Sequence, residues 1–147
     1  MKYTVRYAHL ASIAVKEGQT IKEGDAIGVM GNTGQSFGAH LHIDVVQGRQ
    51  TKIYTLAEIE AGKYTPDPKQ LNHFIDDGLF RCKPRITTHY CDAEYMRTLR
   101  KLHYGYDVIP LAGNNTIYWN RSKLGNVSAV FANHSGYGNC VYVTFEA

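Results

Sequence analysis

The chain has 147 residues, of which 44% are hydrophobic and 20% are charged, and this composition excludes a disordered or collagen-like polymer. Sixteen Lys and Arg against thirteen Asp and Glu leave a formal charge of +3, an excess too small to indicate a nucleic-acid partner. The first residues contain no apolar signal core, and no apolar run reaches the roughly 18 residues that span a bilayer. We therefore expect one soluble domain without a membrane span.

The first 48 residues predict β-structure. Residues 3–7 alternate in side-chain character, and residues 15–28 place glycine turns between very short strands. Residues 31–38 form a loop by their turn residues. Residues 40–46 alternate strictly between polar and apolar side chains, which is the period-two signal of a half-buried strand.

The sequence changes character from residue 47 to Pro84. Residues 55–61 predict a short helix capped by Thr55, and residues 66–75 predict a turn that leads into a second short helix. After Pro84 the β character returns, at residues 117–119, 125–131 and 139–145. The predicted fold is mostly β, an antiparallel sheet with short helices in the connecting segment.

Three cysteines, Cys82, Cys91 and Cys140, are widely spaced and include no C-x-x-C pair. An odd and scattered set of this kind favours reduced thiols over a disulfide framework or a thiolate zinc site. One disulfide beside one free thiol is the alternative. We expect any metal in this protein to be held by histidine and carboxylate.

His40 and His42 lie two residues apart in the predicted strand, so their side chains and that of Asp44 point to one face. The opposite face carries the apolar residues Leu41, Ile43 and Val45 and can pack into the core. The two imidazoles would then stand side by side on the open face, where they can bind one metal or act on one substrate. An H-x-H pair on a solvated strand without a function is the alternative.

A second pair, His103 and Asp107, is separated by four residues and shares one side of the chain. Gly105 between them allows a tight backbone bend. Alone, the pair also fits a surface ion pair. Together with one histidine of the H-x-H motif it supplies two histidines and an aspartate, which suits Zn²⁺ with one open coordination position. The other histidine of that motif and His9 could exchange a proton, although a buried, backbone-bonded histidine is the alternative for His9.

Several linked motifs, at residues 7–10, 15–28, 31–34 and 38–45, resemble the C-terminal half of the lysostaphin-like (LytM-type) zinc metallopeptidases, which cut peptides in bacterial peptidoglycan. Residues 86–88, 103–108, 125–127 and 136–143 are similar to the N-terminal half of that family. The two halves therefore stand in swapped order along this chain.

We interpret the chain as one circularly permuted domain with the duplicated-hybrid-motif-like fold of these peptidases. Residues 1–48 form the family's C-terminal half, residues 49–84 form the connection, and residues 85–147 form its N-terminal half. Exposed hairpin turns tolerate such permutation well. The rival interpretation is a piece of a tandem array whose halves pair with neighbouring molecules, so that the protein is a domain-swapped oligomer instead of a monomer.

The resemblance implies that His42, His103 and Asp107 bind zinc. It also implies that His9 and His40 position or deprotonate the attacking water and stabilise the oxyanion. The substrate would be a peptide cross-link of peptidoglycan, and no further cofactor is implied. Such an enzyme would act outside the cell or at the cell wall, as a bacterial hydrolase, a phage lysin or a part of a virion.

Some residues depart from the family pattern. His89 and Cys91 stand where the family more often has a glycine-containing turn, and residues 94–102 resemble an insertion before His103. His73 and His134 match no motif, and we expect them to be structural or exposed. These departures concern the fit of the substrate and leave the zinc ligands intact.

Two other functions compete with the peptidase. A catalytically silent binding or scaffold module of the same fold is the first, and the presence of all five expected residues argues against it. A lipoyl-like or phosphocarrier β-domain at residues 15–28 is the second. It would need an exposed lysine or a phosphorylated histidine in its turn, and it leaves His103 and Asp107 unexplained.

Overall fold

The computed structural model describes residues 2–34, 36, 38–47, 61, 75–89, 92–101, 103 and 105–146. Within these residues the elements are, in order, β1 (Lys2–Ile13), β2 (Thr20–Ile21), β3 (Ala26–Met30), β4 (Leu41–Gln47), β5 (Pro84–Thr88), α1 (Ala93–Leu99), β6 (Tyr106–Pro110), β7 (Thr116–Tyr118), β8 (Gly125–His134) and β9 (Gly138–Glu146). The predicted mostly β fold is confirmed. The two helices predicted in the connecting segment lie almost wholly outside the described residues.

The strands form one nine-stranded sheet in which every pair of neighbours is antiparallel. The main path runs β2-β8-β9-β1-β4-β6-β5, while β3 pairs with β1 and β7. The longest strand, β1, lies between β9 and β4, and Lys2 is the register partner of Glu146. Strands from the two ends of the sequence thus meet at the centre of the sheet.

The core lies on the apolar face of the central strands. On β4 the buried apolar side chains are Leu41, Ile43 and Val45, as the alternation predicted, with exposed fractions of 0 to 3%. Their apolar area is removed from water, which is the main favourable contribution to folding. The same face carries Val5, Tyr7 and Leu10 of β1, Val141, Val143 and Phe145 of β9, and the fully buried Trp119.

The first strand extends beyond the alternating residues 3–7 and continues through His9 to Ile13. At His9 the backbone takes a left-handed φ of 63°, and the pairing with β9 is interrupted between Tyr7 and Leu10. Such an irregularity inside a strand re-aims a side chain, and it is uncommon for a residue other than glycine. The strand therefore bends at the residue expected to act in catalysis.

The helix α1 was not predicted, because residues 94–102 were interpreted as an insertion. Its N-cap is Asp92, whose side chain accepts a hydrogen bond from the backbone amide of Tyr95 at 3.1 Å. It ends at Leu99, and the C-cap residue Arg100 has a left-handed backbone conformation with φ of 57°. Only seven residues long and without a buried residue, α1 offers a weak periodic signal. None of the helical structure in the described residues is long and apolar enough to cross a membrane.

Candidate metal centre

Two side chains of the centre come from neighbouring strands of the sheet. His42 on β4 and Asp107 on β6 are register partners, so their Cα atoms lie directly opposite each other. The Nδ1 atom of His42 lies 3.1 Å from Oδ1 of Asp107. The strand pairing alone therefore brings together residues that are 65 positions apart in the sequence.

The third side chain, His103, comes from the irregular segment between α1 and β6. Its Nε2 atom lies 3.3 Å from the same Oδ1 of Asp107. Its Nδ1 atom lies 3.1 Å from the backbone oxygen of His89, to which it donates a hydrogen bond in this orientation. Because this bond occupies Nδ1, the ring presents Nε2 to the centre.

These three residues satisfy the geometric requirement for a metal site. One potential ligand atom from each of His42, His103 and Asp107 lies within 4.8 Å of the other two. Two imidazole nitrogens and one carboxylate oxygen form a donor set that zinc accepts, and a fourth position remains for water or substrate. The residues present therefore fit the ion that the sequence predicted.

Gly105 allows the irregular segment to lie against β4. A β-carbon at this position would come within 2.6 Å of the Ile43 oxygen, 2.7 Å of Asp44 Cβ and 2.9 Å of His42 Cε1. The backbone bends at Gly105, as expected. The φ of Gly105 is not in the left-handed region, so glycine is required here because of the close approach to β4 and not because of its backbone conformation.

The other two histidines predicted to act in catalysis, His9 and His40, lie beside the centre. Their ring centroids are 4.9 Å apart, and the Nε2 atom of His40 lies 3.5 Å from Oδ1 of Asp107. The Nδ1 atom of His9 lies 2.5 Å from the Thr33 oxygen, and that of His40 lies 2.8 Å from the Gly38 oxygen. Both rings are thus held at Nδ1 by a backbone carbonyl.

Burial and charge shift the protonation of these groups in opposite directions. Burial disfavours the charged form of His42, yet the neighbouring carboxylates of Asp107 and Asp44 raise the pKa of this imidazole to about 9. Burial also opposes ionisation of Asp107, but hydrogen bonds from the surrounding histidines hold its pKa well below the usual value. For His9 burial prevails and lowers the pKa, so this imidazole is neutral near pH 7.

The face expected to be open is in fact covered. His42 is 5% exposed and Asp44 is 2% exposed, because Gly105 and Tyr137 pack over them. Asp44 forms a salt bridge with Arg6, which was not predicted from the sequence. The alternation of side chains does not indicate which residue of a neighbouring strand lies beside Asp44. Only the register between the two strands could have predicted the salt bridge with Arg6.

Two tyrosines also border the centre and were not identified from the sequence. The Tyr137 ring lies 5.6 Å from the His42 ring, and the Tyr95 ring of α1 lies 4.6 Å from the His103 ring, measured between centroids. Tyr137 lies in the segment 136–143 that resembles the family, but the sequence assigned it no role, and no motif marks Tyr95. The partly exposed His134 ring lies 5.5 Å from the Tyr137 ring, measured between centroids.

Two of the three cysteines lie among the described residues. Cys82 and Cys140 are free cysteines, and Cys140 is fully buried. His73 and Cys91 lie outside the described residues, so the expectations for them stay predictions.

Comparison with known proteins supports the resemblance. Residues 1–53 match the model of Peptidase family M23. The chain is 50% identical over 74 residues to peptidoglycan DD-endopeptidase ShyA of Vibrio cholerae, a match that covers 50% of this chain and 17% of that relative. It is 43% identical over 56 residues to an uncharacterized metalloprotease of Haemophilus influenzae, covering 37% of this chain and 12% of the relative.

A third relative, peptidoglycan DD-endopeptidase ShyC of Vibrio cholerae, is 43% identical over 69 residues, covering 46% of this chain and 16% of its own length. The chain thus spans less than a fifth of each of these relatives. No solved structure gives a significant match. The resemblance to the LytM-type peptidases is confirmed for residues 1–53, the segment that matches the family model and carries His9, His40 and His42.

Proposed function

We propose that this chain, whose residues 1–53 match Peptidase family M23, is a zinc-dependent endopeptidase that hydrolyses peptide cross-links of bacterial peptidoglycan. The observation that carries the proposal is the convergence of His42, His103 and Asp107 from two distant parts of the sequence. In this assignment these three residues hold the ion. When bound, Zn²⁺ activates a water molecule for attack and polarises the carbonyl of the peptide bond.

His9 acts as the proton acceptor in this proposal. Its Nδ1–H donates to the Thr33 oxygen, so the lone pair of Nε2 is available to take a proton from the attacking water. The lowered pKa keeps this imidazole neutral and therefore competent as a base near pH 7. The left-handed backbone at His9 gives the ring its direction relative to His40.

His40 orients the reacting groups from the opposite side. The hydrogen bond from its Nδ1 to the Gly38 oxygen fixes the ring, and its Nε2 points to Asp107 at the edge of the centre. The neutral ring can accept a hydrogen bond from the attacking water at Nε2. The ring protonated on both nitrogens, a form that Asp107 favours by raising the pKa of His40 against the effect of burial, can donate its Nε2–H to the oxygen on which negative charge develops. Hydrogen-bond donors fixed in advance at that oxygen stabilise the transition state.

The relatives support the class of substrate. Two of them are named peptidoglycan DD-endopeptidases, and we extend this to the chain by proposing a cross-link of the D,D type as its target. Hydrolysis of this polymer implies action on the outer side of the cytoplasmic membrane, in the periplasm or outside the cell. A phage or virion origin stays a prediction.

The experiment is digestion of purified peptidoglycan with analysis of the products by mass spectrometry, together with the zinc content of the protein. We expect one zinc per centre. Each cross-linked dimer should be converted into two monomers whose summed mass exceeds that of the dimer by one water. His42→Ala and His103→Ala should abolish both. His89→Ala is the matched control, because the His89 ring is exposed and only its backbone oxygen serves the centre.

Other outcomes would contradict the proposal. A protein that binds zinc but leaves every cross-link intact would favour the catalytically silent module. Cleavage of glycyl-glycine bonds alone would contradict the D,D assignment while leaving the hydrolase assignment in place.

We also propose that the two halves of the domain are circularly permuted, with residues 49–84 as the connection. The antiparallel pairing of β1 with β9, from Lys2 opposite Glu146 onwards, supports this proposal, because these strands would form a continuous hairpin in the unpermuted order. Size-exclusion chromatography with zinc analysis tests it. We expect a monomer with one zinc, whereas zinc found only in dimers or larger species would favour domain swapping.

A further inference from the structure

We propose that Arg6 and Asp44 are positioning residues that fix the ring of His42 so that Nδ1, and not Nε2, is the atom offered to zinc. The inference rests on the proposed function, because it assigns a role toward the ion. It begins from a difference among the four histidines. His9, His40 and His103 each direct Nδ1 to a backbone oxygen, at 2.5, 2.8 and 3.1 Å.

His42 has the reverse orientation. Its Nδ1 faces Asp107 at 3.1 Å, while its Nε2 faces Oδ1 of Asp44 at 3.5 Å. The Nε2 atom is buried and finds no hydrogen bond of good geometry among the described residues. The carboxylate of Asp44 is the acidic group that the Nε2 side of this ring faces, without an aligned hydrogen bond. A carboxylate in this position keeps the ring proton on Nε2 and makes Nδ1 a better metal ligand.

Arg6 holds that carboxylate in place through both of its oxygens. The Nε of Arg6 donates to Oδ1 of Asp44 at 2.8 Å and its Nη2 donates to Oδ2 at 2.6 Å. The guanidinium is itself fixed, because it stacks on the Tyr137 ring at 3.7 Å and donates to the Tyr142 hydroxyl at 3.3 Å. Such a two-pronged pair leaves the carboxylate little freedom to rotate.

The sheet explains why these groups meet. Tyr142 on β9, Arg6 on β1 and Asp44 on β4 are register partners across three adjacent strands. Asp44 lies two residues after His42, so both side chains point to the same face. The side chains of Arg6 and Asp44 are 8% and 0% exposed, which keeps water from competing for the carboxylate.

The decisive test is the double variant Arg6→Met/Asp44→Leu. A single substitution would leave one buried charge without its partner and could unfold the protein, whereas removing both charges is often neutral for stability. Zinc affinity is measured by competition with a chromophoric chelator. We expect it to fall by roughly 10- to 100-fold, the usual effect of losing a group that orients a ligand.

A second measurement reports the ligand atom directly. In the protein loaded with ¹¹³Cd²⁺ and labelled with ¹⁵N, coupling to the metal identifies the coordinating nitrogen of each ring. We expect coupling to Nδ1 of His42 in the wild type and a mixture of both nitrogens in the double variant. Arg6→Lys, which keeps the charge but not the two-pronged contact, should give a smaller loss of zinc affinity.

The matched control is Thr4→Val/Thr144→Val, which removes a 2.8 Å hydroxyl contact between β1, the strand of Arg6, and β9 without touching Asp44. It should bind zinc like the wild type. A folded Arg6→Met/Asp44→Leu variant with unchanged affinity and unchanged coupling would overturn the inference. A wild-type chain that binds no metal would instead overturn the proposed function, so the two failures are distinct.

Discussion

The candidate metal centre has two halves that are built differently. The sheet half consists of His42 and Asp107, which are register partners on neighbouring strands. The loop half consists of His103, which lies outside any strand and is held by one hydrogen bond to the His89 oxygen and by contact with the Tyr95 ring. The sheet half is positioned by many backbone hydrogen bonds, the loop half by a few local contacts.

Because of this difference, we expect the position of His42 to be rigid and that of His103 to be mobile. Backbone pairing on both sides of β4 means that His42 cannot shift without disturbing β1 or β6. His103 can move when α1 or the segment after it moves. We therefore expect changes in the sheet half to act on the centre as a whole. Changes in the loop half should act only as far as they loosen His103.

The largest effect is expected for Asp107→Ala, since one oxygen of this residue contacts all three neighbouring histidines. Zinc in excess at 100 times its Kd should stabilise the wild type by about 2.7 kcal/mol. For a chain of this size that shifts the Tm by roughly 5 to 10 °C, and a chelator should reverse the shift.

The variant should show no zinc-dependent shift in differential scanning calorimetry. The control is Asp77→Ala, at an exposed carboxylate in a turn. A variant at Asp107 that still responds to zinc would remove this residue from the ligand set.

A smaller effect is expected where the two halves touch, at Gly105. In Gly105→Ala the new methyl group meets the backbone of Ile43 and the side chain of Asp44, so one half must move away from the other. Overpacking of this kind costs about 1–3 kcal/mol, measurable as a lower denaturant midpoint with an unchanged m-value.

Gly113→Ala is the control, because nothing lies within 4 Å of a β-carbon there. Equal stability of both variants would mean that the halves are not in tight contact at Gly105.

A weaker effect is expected for Tyr95, which supports only the loop half. Removal of the ring in Tyr95→Ala should loosen His103, and an aromatic contact of about 0.5–1.5 kcal/mol corresponds to a loss of about 2- to 12-fold in zinc affinity. Tyr95→Phe keeps the ring and should bind zinc like the wild type. A loss of affinity in the Phe variant of the same size as in the Ala variant would assign the effect to the hydroxyl.

The last prediction leaves the centre untouched and tests the rigidity of the sheet. Burial raises the pKa of Cys140 on β9 to about 11, so about one molecule in a thousand carries the thiolate at pH 8. We expect Cys140 to escape alkylation in the native protein, whereas the partly exposed Cys82 reacts.

Peptide mass spectrometry distinguishes the two sites, and denaturant should make them equal. Because pH 9 is still below that pKa, a rise from pH 8 to pH 9 should increase residual labelling of Cys140 about tenfold. Rapid labelling of Cys140 at pH 8 would show that the sheet opens.

The sheet half could be predicted from the sequence because side-chain alternation is a local property. Strict alternation from residue 40 onwards placed His42 on one face and Leu41 in the core. The loop half was found through the spacing of His103 and Asp107, but the helix before it was missed, since a short helix without buried residues has no amphipathic pattern.

The contacts of Arg6 could not be predicted at all. They depend on the register between β1 and β4, which brings Arg6 opposite Asp44 across 38 residues of sequence. The alternation states which face a residue occupies but not which residue lies beside it on the next strand. The same limit explains why the polar face was expected to be open although it is covered by Tyr137.

Under the proposed function, the left-handed backbone at His9 sets thermal stability against catalytic activity at one position. Glycine adopts a φ of 63° without steric cost, whereas a residue with a β-carbon is disfavoured there by roughly 1–2 kcal/mol. Selection for thermal endurance alone would therefore favour glycine at this site and would erase the imidazole that faces His40. Substitutions designed to raise the thermal stability of this protein should therefore spare His9 and be made elsewhere in the sheet.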